Sequence, residues 1–310
     1  MRKACLNQIY RLARQDPRVF FIGSDLGVGT LDEFRNEVPD RFIMEGISEA
    51  HVIGMAAGLA LEGKIVYVNS IANFLTRRAF EQVCLDVCLH NLPVRLIGNG
   101  GGMVYAPLGP THMATDDISL MRILPNMTIL APADAQEMSR LMPLTLHWPG
   151  PVYIRVAKGG DPIVTEQGTP DAIGQAVSIG EGQDVLIVTT GIMLKVAQDA
   201  LMRLAQYGIQ GRIVHCPTIK PLDETALSEH FGNVKTIVTL EEHSLMGGLG
   251  SAVAELLAEA SFDRPKPFRR LGIPNKFPDD YGSQNHLLTR FGLTTEAVVN
   301  TTIELLARIK

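Results

Sequence analysis

The 310-residue chain has few cysteines, only Cys5, Cys84, Cys88 and Cys216, and their spacing follows no disulfide framework. A reducing compartment, the cytoplasm, is the expected setting. Long apolar runs are missing too: the longest, residues 52–61, falls short of the ~18 residues a membrane span needs, so no membrane partner is expected. The N-terminus lacks the continuous apolar stretch of a secretion signal. Leu6, Ile9 and Leu12 recur there at helical spacing instead, which predicts an amphipathic helix. No dense Lys/Arg block occurs, and a net charge of −5 argues against a nucleic-acid partner. Serine nucleophile elbows, Walker loops, zinc-ligand spacings, repeats and low-complexity segments are also absent. Cys84 and Cys88 stand four apart among Val83, Leu85 and Val87 with no further ligands in sight. They read as small core residues, and no metal ligand is assigned.

What remains is ordinary globular material, 46% apolar and 20% charged, in a length that suits two domains. Short β-branched runs alternate with helical stretches, the pattern of a parallel sheet covered by helices. In the first half the expected strands are residues 19–22, 65–69, 94–97, 128–131 and 152–156. Helices are expected at 48–62, 77–91, 116–123 and 134–147, with Ser48 and Asp134 as N-caps and Pro143 kinking or shortening the last. Asp25, after the first strand, is a candidate helix cap. Residues 158–182 are rich in glycine and proline and read as a linker. Beyond them, strands at 185–189, 212–215, 236–240 and 268–271 alternate with helices at 195–207, 225–231, 249–259 and 295–309. The predicted fold class is α/β, two domains each built on a mainly parallel sheet: residues 1–165, a linker at 166–182, and 183–310.

In open α/β sheets ligands gather at the carboxyl ends of strands. Three loops there carry unusual chemistry. The first, EGISEAH at 45–51, leads into a helix kept slim by Gly54, Ala57, Gly58 and Ala60. Glu49 falls in its first turn, either as a simple helix-start charge or as a site acid. The second, SIANFLTRR at 70–78, offers Phe74 as a core aromatic or as a stacking platform for a flat ring. The third, GNGGGMVYAPLGPTH at 98–112, is long and glycine-rich. Its glycines are expected to admit a ligand close to the backbone, and its polar handle is His112. GGLG at 247–250 could cradle a phosphate or serve close helix packing.

Taken in order, these segments resemble the transketolase family. The carriers are GISEAHVIGMAAGLA (46–60), RAFEQV (78–83), GPTH (109–112), DISLMR (117–122), PNMTILAPAD (125–134) and EEHSLMGGLGS (241–251). The last also resembles 1-deoxyxylulose-5-phosphate synthase. The resemblance implies a pyrimidine-binding domain followed by a transketolase C-terminal domain, and thiamine diphosphate as cofactor. It makes Glu49 the acid that bonds the pyrimidine ring nitrogen and favours the imino tautomer, whose nitrogen deprotonates the thiazolium carbon. It places Phe74 under the pyrimidine, with Ile71 and Arg78 also lining the cofactor. It gives His112 to the substrate hydroxyls and Arg155 to a substrate phosphate. The implied reaction moves a two-carbon ketol unit from a ketose donor to an aldose acceptor.

Two departures mark the substrate side. Leu108 stands where the family carries an acid that reads a sugar hydroxyl, and Gly100–Gly102 cover the place of a basic residue used for substrate phosphate. A non-standard sugar is therefore implied. A third departure is larger: the G-D-G signature that, with a downstream Asn, holds the diphosphate and its metal in full-length enzymes occurs nowhere in the chain, which begins just before the pyrimidine domain. The expectation is a split enzyme. A partner subunit would supply the diphosphate site and hold Mg or Ca, in an α₂β₂ heterotetramer. The β subunit of a 2-oxoacid dehydrogenase's decarboxylating component shares this domain pair but carries G-P-Q-H in place of GPTH. A non-catalytic partner subunit and a nucleotide module built on residues 247–250 are the other readings.

Overall fold

The structure is a computed structural model that describes residues 1–24, 31–165, 172–262 and 266–309. Asp25, and Gly168 and Pro170 of the expected linker, lie outside them. Helix α1 (Arg2–Gln15) buries Cys5, Leu6, Ile9, Leu12 and Ala13, the stripe its spacing predicts. Then come β1 (Val19–Gly23), α2 (Asp32–Glu37), β2 (Phe42–Met44), α3 (Glu49–Leu61) and β3 (Ile65–Ile71). The chain continues through a π-helical turn at Phe74–Arg78, α4 (Phe80–Gln82) and a second π turn at Val83–Leu89. Strand β4 (Val94–Asn99), α5 (Asp117–Arg122), β5 (Thr128–Leu130), α6 (Ala135–Leu144) and β6 (Val152–Val156) follow.

The second half holds β7 (Val177–Ile179), β8 (Val185–Thr189), α7 (Met193–Gln206), β9 (Gly211–His215) and β10 (Thr218–Lys220). It ends with α8 (Glu224–Phe231), β11 (Thr236–Ser244), α9 (Leu249–Glu259), β12 (Phe268–Ile273), α10 (Gln284–Arg290) and α11 (Thr295–Ala307). Two sheets result, in the orders β10-β5-β6-β4-β3-β1-β2 and β12-β11-β8-β9-β7. All pairings are parallel except β10 on β5 and β7 on β9. The expected α/β architecture of two helix-covered sheets is what forms.

Burial on both faces explains the apolar runs. In β3, Val66 and Val68 face α3 and α5, while Ile65 and Tyr67 face α1 and α6. Such strands were readable from sequence. The short edge strands were not. Strand β10 is bracketed by Pro217 and Pro221 and lies at the sheet edge, where a missing N–H does no harm. It also carries the second half of the chain onto the first sheet. Strand β7 lies within the stretch read as linker. A buried pair also spans the two halves: His215 Nε2 from β9 lies 3.0 Å from Glu137 Oε2 of α6.

Local expectations were met unevenly. Asp134 caps α6, its Oδ1 accepting from the backbone N–H groups of Gln136 and Glu137 at 2.8 and 2.9 Å. Ser48 holds the N-cap position of α3 but its hydroxyl turns back to the Gly46 carbonyl at 3.4 Å, so the expected cap bond is not made. Helix α6 ends at Leu144, one residue beyond Pro143 and short of the expected 147.

Candidate active site

The site lies at the carboxyl ends of β1 and β3, against the start of α3. Glu49 opens α3, where the positive end of the helix dipole favours a carboxylate, and it is buried. Its Oε1 accepts from Ser70 Oγ at 3.3 Å, and Ser70 Oγ accepts from Ser24 Oγ at 2.6 Å. Its Oε2 accepts from Arg78 Nη1 at 2.7 Å. Phe74 begins the first π turn, a local widening of the helix that recurs at functional sites, and its ring is half-buried. The guanidinium of Arg78, at the other end of that turn, lies 4.2 Å from the Phe74 ring centre. The His112 ring meets Phe74 edge-on, with centroids 5.4 Å apart. Five predicted positions are thus neighbours in space or sequence: Glu49, Phe74, Arg78, His112 and Ile71, the half-buried last residue of β3.

Residues not singled out from sequence hold this group in place. Asn73 Nδ2 donates to the carbonyls of Met113 (2.7 Å) and Thr111 (3.3 Å), which straddle His112. Asn73, the residue before Phe74, therefore sets the backbone around His112. His112 Nδ1 is within 2.9 Å of Thr111 Oγ1, and no hydrogen bond to Nε2 is seen among the described residues. Arg77 pairs with Asp116 at 2.7 Å and ties the π turn to α5. The signal for Ser70 and Asn73 was there, as polar residues closing an apolar strand.

Two other predicted residues stand outside the group. Leu108 sits in the 3₁₀ turn Ala106–Leu108 and is 51% exposed. Arg155 is buried beneath the glycine-rich loop with much of its guanidinium committed. Its Nε donates to Asp117 Oδ2 at 2.8 Å, and its Nη2 to Asp117 Oδ1, the Ala114 carbonyl and the Glu242 carbonyl. Tyr153 Oη donates to the same Asp117 at 2.7 Å. Burial alone would raise the Asp117 carboxyl, but the Arg155 charge and hydrogen bonds outweigh it and hold Asp117 below its usual range.

Within the chain itself the glycines of residues 98–102 are required by packing. Gly100 and Gly102 adopt φ of +76° and +69°. A Cβ at Gly100 would lie 2.1 Å from the Tyr105 ring, and one at Gly102 2.3 Å from the Glu242 carboxyl carbon. The space that glycine leaves is filled by this chain's own side chains. The GGLG turn is similar. Glu241 accepts from the N–H groups of Leu249 (2.8 Å) and Gly250 (2.7 Å), so the start of α9 is capped internally and the nucleotide-module reading loses its cradle. Cys88 is buried and its thiol is pushed up to about 12, as befits a core residue.

Glu242 carries a measurable consequence. It accepts from Met103 N–H and from Gln284 Nε2, both at 2.8 Å, and burial raises its carboxyl to about 6 against the lowering effect of Arg155. A raised acid holds its proton in the native state over a range where the unfolded chain has released it. Its contribution to stability is therefore complete below about pH 4.5 and is lost as pH rises through about 6, by ~2 kcal/mol. Glu242→Gln, which mimics the protonated form, should gain about that much on wild type between pH 4.5 and 7 in denaturant titrations. Parallel stability profiles would count against it.

Residues 1–160 match the family described as transketolase, pyrimidine binding domain, and residues 174–298 the family described as transketolase, C-terminal domain. One of the subunits of the apulose-4-phosphate transketolase of Phocaeicola vulgatus is 35% identical over 305 residues, 98% of this chain and 96% of that protein. The 6-deoxy-6-sulfo-D-fructose transketolase subunit SqwH of a Clostridium species is 35% identical over 309 residues, 99% and 95% of the two chains. A solved structure described as a split gene transketolase, inactive beta4 tetramer, superposes with a TM-score of 0.88 at 35% identity over 99% of this chain and 97% of that one. No helix among the described residues is long and apolar enough to cross a membrane.

Proposed function

The chain belongs to the transketolase family, and from that premise we propose that it is the pyrimidine-binding subunit of a split, thiamine-diphosphate-dependent transketolase. The observation that carries the reading is the buried carboxylate of Glu49 joined to Phe74 through one guanidinium, that of Arg78, which bonds the carboxylate and lies over the ring, with the His112 and Phe74 rings packed edge-on. A flat heteroaromatic ring with a basic nitrogen fits that pair: the aromatic stacks on it and the carboxyl bonds its nitrogen. The donor set fits only that half of the cofactor. Among the described residues no three His, Cys, Asp or Glu side chains gather as a metal site. The same proposal assigns the diphosphate and Mg or Ca to the partner subunit.

The bound cofactor supplies the nucleophilic carbon and electron sink that cleavage of a ketose requires. Glu49 would hold the ring nitrogen and its proton at one carboxyl oxygen, while Ser70 orients the other. Phe74 would fix the ring plane and Ile71 would border it, with Arg78 on the solvent side of the seat, and His112 would offer Nε2 to a substrate hydroxyl. Both subunit relatives are named for sugar ketols, one phosphorylated and one sulfonated. The reaction proposed for this chain is transfer of a two-carbon unit from a sugar ketose to an aldose, and exposed Leu108 in place of an acid suits an acceptor outside the ordinary sugar phosphates.

The partner surface is proposed on α3. Gly58 is exposed, with nothing beyond its chain neighbours and its own helix's backbone within 4 Å of where its Cβ would stand, and Leu61, Leu85 and Leu89 are exposed on α3 and the adjoining π turn. An α₂β₂ assembly fits the pairwise habit of such folds. The pyrimidine domain is placed at residues 1–165, the C-terminal domain at 183–310, and the enzyme in the cytoplasm, where the four thiols would stay reduced.

The test is calorimetry with thiamine diphosphate and Mg²⁺ on the chain with and without the co-purified partner, followed by a ketose-donor screen. Weak binding by the lone chain and tight binding by the pair is expected, with turnover only in the pair. Tight binding and full turnover by the lone chain would sink the split reading. Turnover of a 2-oxoacid with a lipoyl acceptor, and of no ketose, would assign the chain to a dehydrogenase β subunit instead.

A further inference from the structure

Arg78 takes up both contacts that a flat ring would use. Its Nη1 donates to Glu49 Oε2 at 2.7 Å, and its guanidinium carbon lies 4.2 Å from the centre of the Phe74 ring. The side chain of Glu49 is 2% exposed and that of Arg78 is 48% exposed. One partner is fixed in the interior, and the other borders water. A guanidinium is planar and delocalised, and it covers an aromatic face as a heteroaromatic ring does. Phe74 and Arg78 sit at the two ends of one π turn, which keeps both on the same face.

We propose that Arg78 is a placeholder for the ring ligand: it fills the Glu49–Phe74 seat in the free chain and has to swing into solvent before an aminopyrimidine can enter. The inference rests on the reading above that Glu49 and Phe74 bind that ring. A buried carboxylate without a charged partner is costly, and the only other side chain bonded to Glu49 among the described residues is Ser70, at 3.3 Å. Arg78 meets that need while the seat is free. The ring nitrogen and Arg78 then compete for one carboxyl oxygen, and the ring and the guanidinium for one aromatic face. Because the competent conformation is the one with Arg78 withdrawn, the placeholder lowers the apparent affinity of the ligand. It thereby sets how much cofactor is needed to load the enzyme.

Arg78→Met keeps an apolar stem and removes the charge and the planar head. In calorimetry on the assembled two-chain enzyme with thiamine diphosphate and Mg²⁺, this variant should bind about fivefold more tightly than wild type, the scale of a half-exposed ion pair and a cation–π contact together. Arg78→Lys, which keeps charge without the planar stack, should fall between them. Unchanged or weaker binding by Arg78→Met overturns the proposal and makes Arg78 a direct cofactor ligand or a bystander. A second measurement needs no cofactor. In the free chain, side-chain NMR should find the Arg78 Nε–H protected and its guanidinium rotation slowed, and both should be released in Glu49→Gln. A freely rotating Arg78 in the wild-type free chain overturns the placeholder by itself. Failure of the wild-type pair to bind cofactor, with Arg78 immobilised in the free chain, overturns the assigned function and leaves the self-occupied seat standing.

Discussion

Glu49→Gln should lower turnover of the assembled two-chain enzyme by about 10²–10⁴-fold, the range that a positioned acid or base contributes, while leaving the fold intact. The amide has the shape of the carboxyl and keeps an oxygen for the Ser70 hydroxyl, so packing at the start of α3 is undisturbed. What it lacks is an exchangeable acid proton for the ring nitrogen. It also cannot pair electrostatically with Arg78, whose side chain is 48% exposed and can hydrate instead. Stability should therefore change little, because the variant removes a buried charge together with the need to compensate it. The measurement is kcat at saturating donor and cofactor, with circular dichroism and thermal melting as controls on the fold. Near wild-type turnover would remove Glu49 from the mechanism.

How far the site was legible before the fold differs residue by residue, for physical reasons. The place of Glu49 could be read because the GISEAH segment must start a helix, whereas the choice between a dipole charge and a working acid could not be made from the segment alone. Phe74 was placed in a loop, yet it begins a π turn, since a π turn leaves the same apolar spacing as the end of an irregular loop. Strands β3, β4 and β6 announced themselves as apolar runs because both of their faces are covered. Strands β2, β7 and β10, three residues each, carry too few side chains for any period to appear. The glycine-rich loop was hard to read for another reason. Sequence tells that a Cβ is absent, not what fills its place, and here Tyr105 and Glu242 do so from within the chain. The Asp117–Arg155–Tyr153 network was invisible for the same reason, since its members come together only when β6 lies beside β4 and α5 closes over both.

That network is where the largest loss of stability is expected. Asp117→Ala leaves the Arg155 guanidinium buried without its carboxylate, and breaking one side of such a pair typically costs about 3–5 kcal/mol. The effect should reach across the chain, because Arg155 Nη2 also donates to the Ala114 carbonyl in the loop and to the Glu242 carbonyl on β11. Replacing both members with apolar residues of similar size, Asp117→Leu with Arg155→Met, should recover much of the loss, since no orphan charge remains. The comparison also separates two roles for Arg155. A residue that only meets a substrate phosphate would, when changed to Met, raise KM for phosphorylated donors and leave denaturant midpoints alone. The buried geometry points the other way: Arg155→Met should destabilise the chain by a few kcal/mol and affect phosphorylated and unphosphorylated donors alike. A stable Arg155→Met variant, with a KM defect confined to phosphorylated donors, would return Arg155 to the substrate and take it out of the scaffold that holds the loop.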